Sequence, residues 1–402
     1  MDLTERHDLR SGDPPWPAPD TTPSDPLPDR HVDVAICGAG IMGAMLAERL
    51  CAAGLRVAIV DRRAPAAGST SASTALVLWE ADIPLISLAA RIGESEAARR
   101  WCRVIAAVRS LKTRIDDEGF DADRIDRSSL YIAGDLLDAQ GLEAEARLRS
   151  RFGMLSLYRD AGSVEQRFRI APVAAIESAD SFEVDPVKLT LSLLARARAG
   201  GATVSFPVDA MRFEHHPNGI DMITDKGIVR AAHAVIAGGY ERARAYLPGS
   251  FSLSSSYAIA SGPGECAWAD NALIWQASES YIYARADVHG RIIAGGGDEP
   301  FTHARHRDRL IPEKAAAIAT DLHALLGKPV RPRERWAAMF GKSPDGLPAI
   351  GRAANSERLW LASGFGGNGV SFAALAAEII TGALTGAPDP DADCFDPYRF
   401  EA

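Results

Sequence analysis

Three glycines and a downstream aspartate near the amino terminus have the spacing that binds a dinucleotide. The glycines are Gly38, Gly40 and Gly43 in the segment GAGIMG, and Asp61 follows the third by 18 residues. The first glycine permits a tight turn, the second lets a pyrophosphate approach the backbone, and the third lets helix and strand pack closely. A carboxylate at this distance binds ribose hydroxyls and disfavours a 2′-phosphate. The pattern predicts a site for NAD or FAD rather than NADP.

The residues around these glycines predict the elements that such a site requires. Residues 32–36 are a β-branched run typical of a buried strand, residues 41–53 predict a helix, and residues 56–60 predict a second strand. Gly54 is placed to end the helix in a left-handed cap. A glycine fingerprint inside a strand–turn–helix–strand unit is much more specific than the glycines alone.

Two further segments are rich in small residues. Residues 64–77, APAAGSTSASTALV, exceed an ordinary connection of a few residues, which indicates backbone and hydroxyl groups laid along a large ligand; a flexible linker is the alternative. Residues 364–372, GFGGNGVSF, precede an apolar run with helical character. The start of a helix has unpaired N–H groups and the positive end of the helix dipole, so this loop favours a negatively charged ligand.

Composition narrows the function classes. The net charge of −9 argues against a sequence-independent nucleic-acid binder, which needs basic surface. Five cysteines lie far apart without a C-x-x-C pair, so we expect reduced, buried thiols and neither a zinc site nor a disulfide framework. No apolar run reaches the roughly 18 residues that span a bilayer, so we expect no membrane span.

The first 30 residues form a Pro-rich leader without the apolar segment of a signal peptide. Their composition predicts an extended arm. Trp16, flanked by prolines, indicates that part of this arm docks on the folded protein. Because the sequence offers no targeting segment, we expect a cytoplasmic protein.

Taken in order, the motifs resemble the D-amino-acid oxidase-like (DAO) superfamily of FAD-dependent oxidoreductases, which includes sarcosine and glycine oxidases. The resemblance extends from about residue 33 to residue 386. The segments that carry it are GAGIMG with Asp61, GSTSAST (68–74), the predicted helix that Asp185 caps, HAVIAGGY (233–240), the predicted hairpin at 280–299, SPDGLPAIG (343–351) and GFGGNGVSF.

The resemblance implies a mixed α/β (α+β) fold, in which a Rossmann-like FAD-binding domain is interleaved with a substrate domain built on a mostly antiparallel sheet. The domains expected are a Pro-rich arm at 1–30, a discontinuous FAD-binding domain at 31–92, 165–245 and 336–386, a substrate domain at 93–164 and 246–335, and a tail at 387–402. Apolar spacing also predicts helices at 95–117 and at 312–326, the second closed by Gly327.

The same resemblance implies the residues that bind FAD. The early glycines would hold the pyrophosphate, Asp61 the adenosine ribose, the backbone of Val208 the adenine, and residues 366–369 the pyrimidine end of the flavin. The full set expected is Gly38, Gly40, Ile41, Met42, Gly43, Asp61, Arg62, Gly68, Ser69, Thr70, Ser73, Thr74, Val208, Ala237, Gly238, Gly346, Gly364, Gly366, Gly367, Asn368, Gly369 and Val370.

Departures from the family pattern bear on the chemistry. Some relatives tether FAD through a cysteine near the position of Ala338, and others through a histidine near Ala72, so we expect non-covalent FAD. Phe340 stands where amino-acid oxidases often place an arginine that clamps the substrate carboxylate. No lysine occupies the hairpin region where sarcosine-type oxidases activate oxygen, and Lys342 is expected in a solvated turn. Oxidase and dehydrogenase therefore both stay open.

Four residues are candidates for the substrate pocket. Tyr281, Tyr283 and Arg285 alternate along a predicted strand and so share one face, offering an aromatic wall and an anion clamp. Glu80 follows the flavin-lining segment and could bind an ammonium group. The alternatives are a sheet face packed on helices and a salt-bridged carboxylate.

These features predict two-electron oxidation of a C–N bond in an amine or N-substituted amino acid, with hydride transfer to flavin N5 and hydrolysis of the resulting imine. The expected partners are a small-molecule amine and oxygen or another acceptor, with no nucleic acid and no metal. A dehydrogenase that passes electrons to a quinone or an electron-transfer protein is the alternative. Less favoured are a flavoprotein acting on RNA, a non-catalytic redox-binding protein and an NAD-dependent dehydrogenase.

Overall fold

The computed structural model describes residues 8–17, 24–241, 243–266 and 268–401. Across these residues the strands form one eight-stranded and one ten-stranded sheet. In chain order the strands are β1 (Arg10–Gly12), β2 (Val32–Cys37), β3 (Val57–Val60), β4 (Leu76–Val77), β5 (Ile125–Ile132), β6 (Ser156–Arg159), β7 (Ala175–Glu183), β8 (Thr203–Ser205), β9 (Ala210–His216), β10 (Gly219–Thr224), β11 (Gly227–Ile236), β12 (Ser252–Ala260), β13 (Leu273–Gln276), β14 (Ile282–Ala286), β15 (Ile292–Glu299), β16 (Glu334–Lys342), β17 (Ala349–Arg352) and β18 (Leu359–Ser363). The helices are α1 (Ile41–Ala52), α2 (Leu85–Ile92), α3 (Glu94–Glu118), α4 (Ala139–Arg151), α5 (Ala161–Phe168), α6 (Pro186–Ala199), α7 (Ala304–Leu326) and α8 (Gly369–Leu384).

The eight-stranded sheet has a parallel centre. Its order is β17-β18-β11-β2-β3-β8, with β10 and β9 added beyond β11, and the pairs from β18 to β8 are parallel. Helix α1 packs between α6 and α8 on this sheet. Strands of a parallel sheet are covered on both faces, which explains why β3 is buried throughout. The predicted strand–helix–strand unit is confirmed, and Gly54 has the left-handed φ of +83° that its cap requires.

The ten-stranded sheet is antiparallel except for the pair β5–β13. Its order is β1-β16-β12-β15-β14-β13-β5-β7-β4, with β6 paired to β7. The predicted hairpin is present as β14 and β15, and α7 packs on this sheet. A mixed fold with one mostly antiparallel sheet is therefore confirmed.

The domain limits remain a prediction, and some segments expected in one domain lie in the sheet expected for the other. Residues 175–183, expected in the FAD-binding domain, form β7 of the ten-stranded sheet, and β16 belongs to the same sheet. Helix α3, expected in the substrate domain, packs against α8. The chain thus crosses between the two sheets several times. Helix α3 contacts both α8, which packs with α1 on the eight-stranded sheet, and β7 of the ten-stranded sheet.

Two local expectations are wrong. Helix α7 begins at Ala304, eight residues before Pro312, because the buried Arg307 anchors its first turns by donating to the carbonyl of Asp8 and the hydroxyl of Ser11. The cysteines form no disulfide among the described residues, and contrary to expectation they are not all buried. Cys102 is exposed, since it lies on the outer face of α3.

The amino-terminal arm is docked along part of its length. Strand β1 pairs with the edge strand β16, and the buried Trp16 donates its indole N–H to the carbonyl of Ser73 at 2.9 Å. Asp25 accepts the N–H of Val204 at 2.8 Å. The docking of Trp16 is thus as predicted, while residues 1–7 and 18–23 lie outside the described residues. None of the helices in the described ranges is both long and apolar enough to cross a bilayer.

Candidate active site

A cavity of about 280 Å³ lies between the two sheets. The turn between β2 and α1, the segment after β3, the end of β11 and the loop before α8 line it from the eight-stranded side. Strands β12 and β16 and the start of β14 line it from the other. The structure brings together all the residues expected to bind FAD except Gly43 and Gly346. Their individual roles stay predictions.

The turn before α1 has a backbone that a larger residue would not fit. Gly38 has φ +120°, and a Cβ there would lie 2.7 Å from the carbonyl carbon of Ala237. Gly43 faces away from the cavity, and a Cβ on it would collide with the carbonyl oxygen of Gly38. The third glycine therefore serves the contact between helix and strand, which explains why it does not line the cavity.

Asp61 lies at the end of β3 and closes the same end of the cavity. Its carboxylate accepts the N–H groups of Ala39 at 2.7 Å and Arg63 at 2.8 Å. Burial raises the pKa of Asp61, and these two hydrogen bonds oppose the shift. The carboxylate is thus fixed in position, with lone pairs left for hydroxyl donors.

The hydroxyl-rich segment runs along the cavity wall next to α1. The Thr70 hydroxyl accepts the N–H of Ile41 at 3.0 Å, so it caps the first turn of the helix. The hydroxyl of Ser69 also lines the cavity, is buried, and has no hydrogen-bond partner among the described residues. A buried hydroxyl without a partner is costly, which indicates that a ligand atom completes it.

The glycine-rich loop before α8 forms the opposite wall. Gly366 has φ +106° and donates its N–H to the carbonyl of Gly341 at 2.9 Å. Gly367 donates to the carboxylate of Asp82 at 2.8 Å, and the Asn368 amide donates to the carbonyl of Glu80. The loop is therefore held against residues 80–82, and the amino terminus of α8 points its positive end at the cavity.

Two of the four substrate-pocket candidates lie in the cavity. Tyr281 and Tyr283 line it with stacked rings whose centroids are 6.0 Å apart. The Tyr281 hydroxyl donates to the Asp298 carboxylate at 3.1 Å. Burial raises the pKa of Tyr283 to about 12 and that of Tyr281 well above its ordinary value, so both phenols are neutral at physiological pH. Phe340 and Ala338 of β16 also line the cavity.

Arg285 lies elsewhere, and the structure corrects its assignment as an anion clamp in this cavity. A strand advances about 3.3 Å per residue, so Arg285 is displaced along β14 from the two tyrosines. Its buried guanidinium donates to the carbonyl of Val184 at 2.9 Å and lies 3.7 Å from the Glu183 carboxylate. The Trp16 ring lies 5.1 Å from it, in a separate cavity of about 180 Å³.

Glu80 is also misplaced for the role expected of it. Its side chain is 1% exposed and accepts the Ser129 hydroxyl at 2.6 Å, with Arg149 3.7 Å away. It therefore points into the protein rather than into the cavity, because the chain bends between Glu80 and the loop that follows. Its backbone carbonyl, rather than its carboxylate, contacts the site through Asn368.

Asp82, two residues later, is the carboxylate that the sequence reading missed. It lines the cavity and accepts the Gly367 N–H. Asp82 is an exposed residue of the cavity wall, and desolvation by the surrounding protein raises the pKa of its carboxyl to about 6. The Gly367 hydrogen bond opposes that shift, Asp298 adds to it and Lys342 reduces it. Its nearness to Glu80 in the sequence was the only signal that could have found it.

The family model for FAD dependent oxidoreductases (DAO) matches residues 33–383. The chain belongs to this family. A glycine oxidase from Bacillus licheniformis is 22% identical to the DAO chain over 369 residues, which cover 89% of this chain and 94% of that protein. The tRNA 5-methylaminomethyl-2-thiouridine biosynthesis bifunctional protein MnmC of Maricaulis maris (strain MCS10) is 27% identical over 363 residues, which cover 88% of this chain and 52% of that protein. The chain thus spans about half the length of that relative.

A solved structure shows the same fold. The L-proline dehydrogenase from P.horikoshii superposes with a TM-score of 0.74 at 21% identity, and the match covers 92% of this chain and 98% of the other. The DAO chain described here is accordingly an FAD-dependent oxidoreductase, and the expected cofactor is confirmed.

The residues present fit FAD. The unpartnered Ser69 hydroxyl lines the cavity beside the start of α1, where a phosphate finds both a donor and the helix dipole. Gly40, the second glycine of the turn, places no side chain on the cavity wall, so a pyrophosphate can approach the backbone there. Among the described residues, no group of three or more His, Cys, Asp or Glu side chains could hold a metal ion.

Proposed function

We propose that this DAO-family protein oxidises the C–N bond of an amine or N-substituted amino acid with non-covalent FAD. The observation that carries the proposal is the continuity of the cavity: the residues that fit FAD run without interruption into a compartment walled by Tyr281, Tyr283 and Phe340. Bound there, FAD supplies a two-electron acceptor that takes hydride from the carbon next to an amine nitrogen. The imine product then hydrolyses in water.

The chain's own residues contribute orientation and electrostatics. The tyrosine rings and Phe340 give flat apolar surfaces that fix the position of a small carbon skeleton, and correct orientation is a large share of catalysis. The positive end of α8 favours negative charge on the bound cofactor. Hydride transfer from a neutral amine needs neither a nucleophile nor a metal, which agrees with a compartment walled mainly by aromatic side chains.

Non-covalent binding is supported by the side chains at the expected tether positions. Ala338 and Ala72 both line the cavity, and neither can form a bond to the flavin. Trp336 donates its indole N–H to the carbonyl of Ala72 at 2.9 Å, so this wall is fixed by packing rather than by a covalent link. Acid precipitation of the purified protein should therefore release all of its flavin into solution.

The likeness to MnmC favours a second candidate, an oxidation of an amine carried on tRNA. The net charge of −9 weighs against it, since an RNA backbone needs basic surface. A dehydrogenase that passes electrons to a quinone or an electron-transfer protein is a variant of the first proposal, and the comparison with an L-proline dehydrogenase keeps it open. Oxygen uptake with peroxide release supports the oxidase, whereas reduction by amine without oxygen uptake supports the dehydrogenase.

The test is an anaerobic screen of the FAD-loaded protein. Primary amines, N-methyl amines, amino acids, N-methyl amino acids and tRNA bearing an aminomethyl-modified 2-thiouridine are added in turn, and loss of visible flavin absorbance is followed. Bleaching by a small amine or amino acid supports the proposal. Bleaching by the tRNA alone supports the second candidate, and no bleaching by any of them contradicts both.

A further inference from the structure

We propose that the substrate of this site is a cationic amine without a carboxylate group, that Asp82 binds its ammonium group, and that Asp298 behind Tyr281 adds negative charge to the same end of the cavity. This inference rests on the proposed function and deepens it, because C–N oxidation alone leaves open whether the substrate is an amine or an amino acid.

The distribution of charge along the cavity favours a cation at the tyrosine end. At the other end Arg62 and Arg63 also line the wall, and both contact the Glu241 carboxylate. Among the described residues, Asp82 is the one charged side chain that lines the cavity at the tyrosine end. A substrate carboxylate placed there would lose its hydration and face a second carboxylate, which is unfavourable on both counts.

Asp298 gives the independent observation. It lies in β15 behind Tyr281, and its side chain is 7% exposed. One carboxylate oxygen accepts the Tyr281 hydroxyl at 3.1 Å and lies 3.3 Å from the Lys342 ammonium. The other oxygen is buried without a hydrogen-bond partner among the described residues. A buried carboxylate oxygen without a donor keeps its negative charge poorly compensated, so Asp298 makes this end of the cavity more negative from behind Tyr281.

Lys342 is not placed to serve a substrate anion. Its ammonium is shared between Asp298 and the face of Phe340, whose ring centroid lies 5.8 Å away. Its side chain is 45% exposed, so it lies at the rim of the site. Lys342 therefore compensates Asp298, and the charge of Asp82 is left to attract a substrate cation. The stacked rings of Tyr281 and Tyr283 line the same end of the cavity, and aromatic faces also attract ammonium groups.

The same placement accounts for the proton that an ammonium must lose before oxidation. The N–H bond of the bound ammonium breaks and an O–H bond forms on the Asp82 carboxylate, which leaves a neutral amine in the site. Asp82 is suited to this exchange because its pKa is raised to about 6, close to the operating range of a general base.

The experiment compares two nearly isosteric ions that cannot be oxidised. Tert-butylammonium and pivalate carry the same tert-butyl group, and neither has a hydrogen on the carbon that bears the charged group. Each is titrated into the FAD-loaded protein while the flavin absorbance spectrum is recorded. We expect tert-butylammonium to bind at least tenfold more tightly than pivalate. Equal or tighter binding of pivalate, or no spectral response to tert-butylammonium, overturns the proposal.

Variants locate the effect. Asp82→Asn keeps an acceptor for the Gly367 N–H but removes the charge, and we expect it to weaken tert-butylammonium binding at least tenfold with flavin content unchanged. Asp298→Asn should weaken it severalfold. Asp117→Asn, an exposed carboxylate on α3, is the matched control and should change nothing. Unchanged binding in Asp82→Asn, or loss of flavin from it, contradicts the assignment.

The two proposals fail in different ways. If no amine or amino acid bleaches the flavin, the proposed function fails, while the preference for tert-butylammonium still stands or falls by itself. If amino acids bleach the flavin and the protein binds tert-butylammonium no more tightly than pivalate, C–N oxidation is still supported and only the cation site is wrong.

Discussion

The two ends of the cavity are made of different parts of the chain. At the dinucleotide end the wall is mostly backbone, and Gly38, Gly40 and the start of α1 present peptide groups whose positions follow from φ and ψ. At the substrate end the wall is mostly side chains from Tyr281, Tyr283 and Asp82. A backbone wall tolerates no change of conformation, whereas a side-chain wall can be altered residue by residue. The first end therefore determines which cofactor binds, and the second determines which substrate does.

The backbone end should show the largest response to substitution. Gly38→Val combines a positive φ that valine rarely adopts with a Cβ placed against Ala237, so we expect at least a hundredfold loss of FAD affinity, measured as the flavin-to-protein ratio after dialysis. Gly54→Ala is the control, because it has a similar φ of +83° with open space around it and should cost only about 1 kcal/mol of stability. Full retention of FAD by Gly38→Val would falsify the backbone account.

Substitution in the glycine-rich loop before α8 should reduce FAD affinity less, because the atom that a new side chain would meet belongs to the movable side chain of Asp82. A Cβ on Gly367 would lie 2.7 Å from the Asp82 carboxylate, so Gly367→Leu displaces either the loop or Asp82. We expect roughly a tenfold loss of FAD affinity, on the order of 1.4 kcal/mol. Gly249→Leu serves as the control because nothing lies within 4 Å of its Cβ position. Equal flavin content in both variants would mean that this loop does not contact the cofactor.

The substrate end should depend on pH through Asp82. Its pKa is raised, so the charged form is disfavoured in the folded protein and the carboxylate is protonated below about pH 6. Binding of tert-butylammonium should therefore be constant above pH 7 and weaken by up to tenfold for each unit below 6. The groups that interact with Asp82 are Asp298, Lys342 and the Gly367 N–H, together with the tyrosines Tyr281, Tyr240 and Tyr131. Asp82→Asn should flatten the profile, and an unchanged profile in that variant would assign the titration to another group.

The docked arm should give the smallest effect, because it supports both ends from outside. Trp16→Phe keeps an aromatic ring near Arg285 but removes the hydrogen bond to Ser73, and we expect a loss of about 1 kcal/mol of unfolding free energy by thermal denaturation. Trp360→Phe is the matched control, since the Trp360 indole N–H is buried without a partner among the described residues. A Trp16→Phe protein as stable as wild type would show that the hydrogen bond from the arm to Ser73 does not stabilise the protein.

The same division explains what the sequence could reveal. Gly38 and Asp61 were predictable because a strand, a turn and a helix adjacent in sequence fix their geometry. Glu80 and Arg285 were assigned to the cavity wrongly, because their directions depend on a bend after β4 and on where β14 ends relative to the arm. The early start of α7 depends on Arg307 reaching the arm, a contact between residues nearly 300 positions apart. Asp82 was missed for the same reason, since nothing local distinguishes it from Glu80.

The most direct test of the central claim is anaerobic mixing of the FAD-loaded protein with matched pairs of substrates, each pair an amine and the amino acid that carries one additional carboxylate. Flavin bleaching is followed for both members under identical conditions. The account predicts that at least one amine reduces the flavin and that its amino acid partner reduces it at least tenfold more slowly. Bleaching by amino acids alone would contradict the cation site, and no bleaching by either member of any pair would contradict C–N oxidation itself.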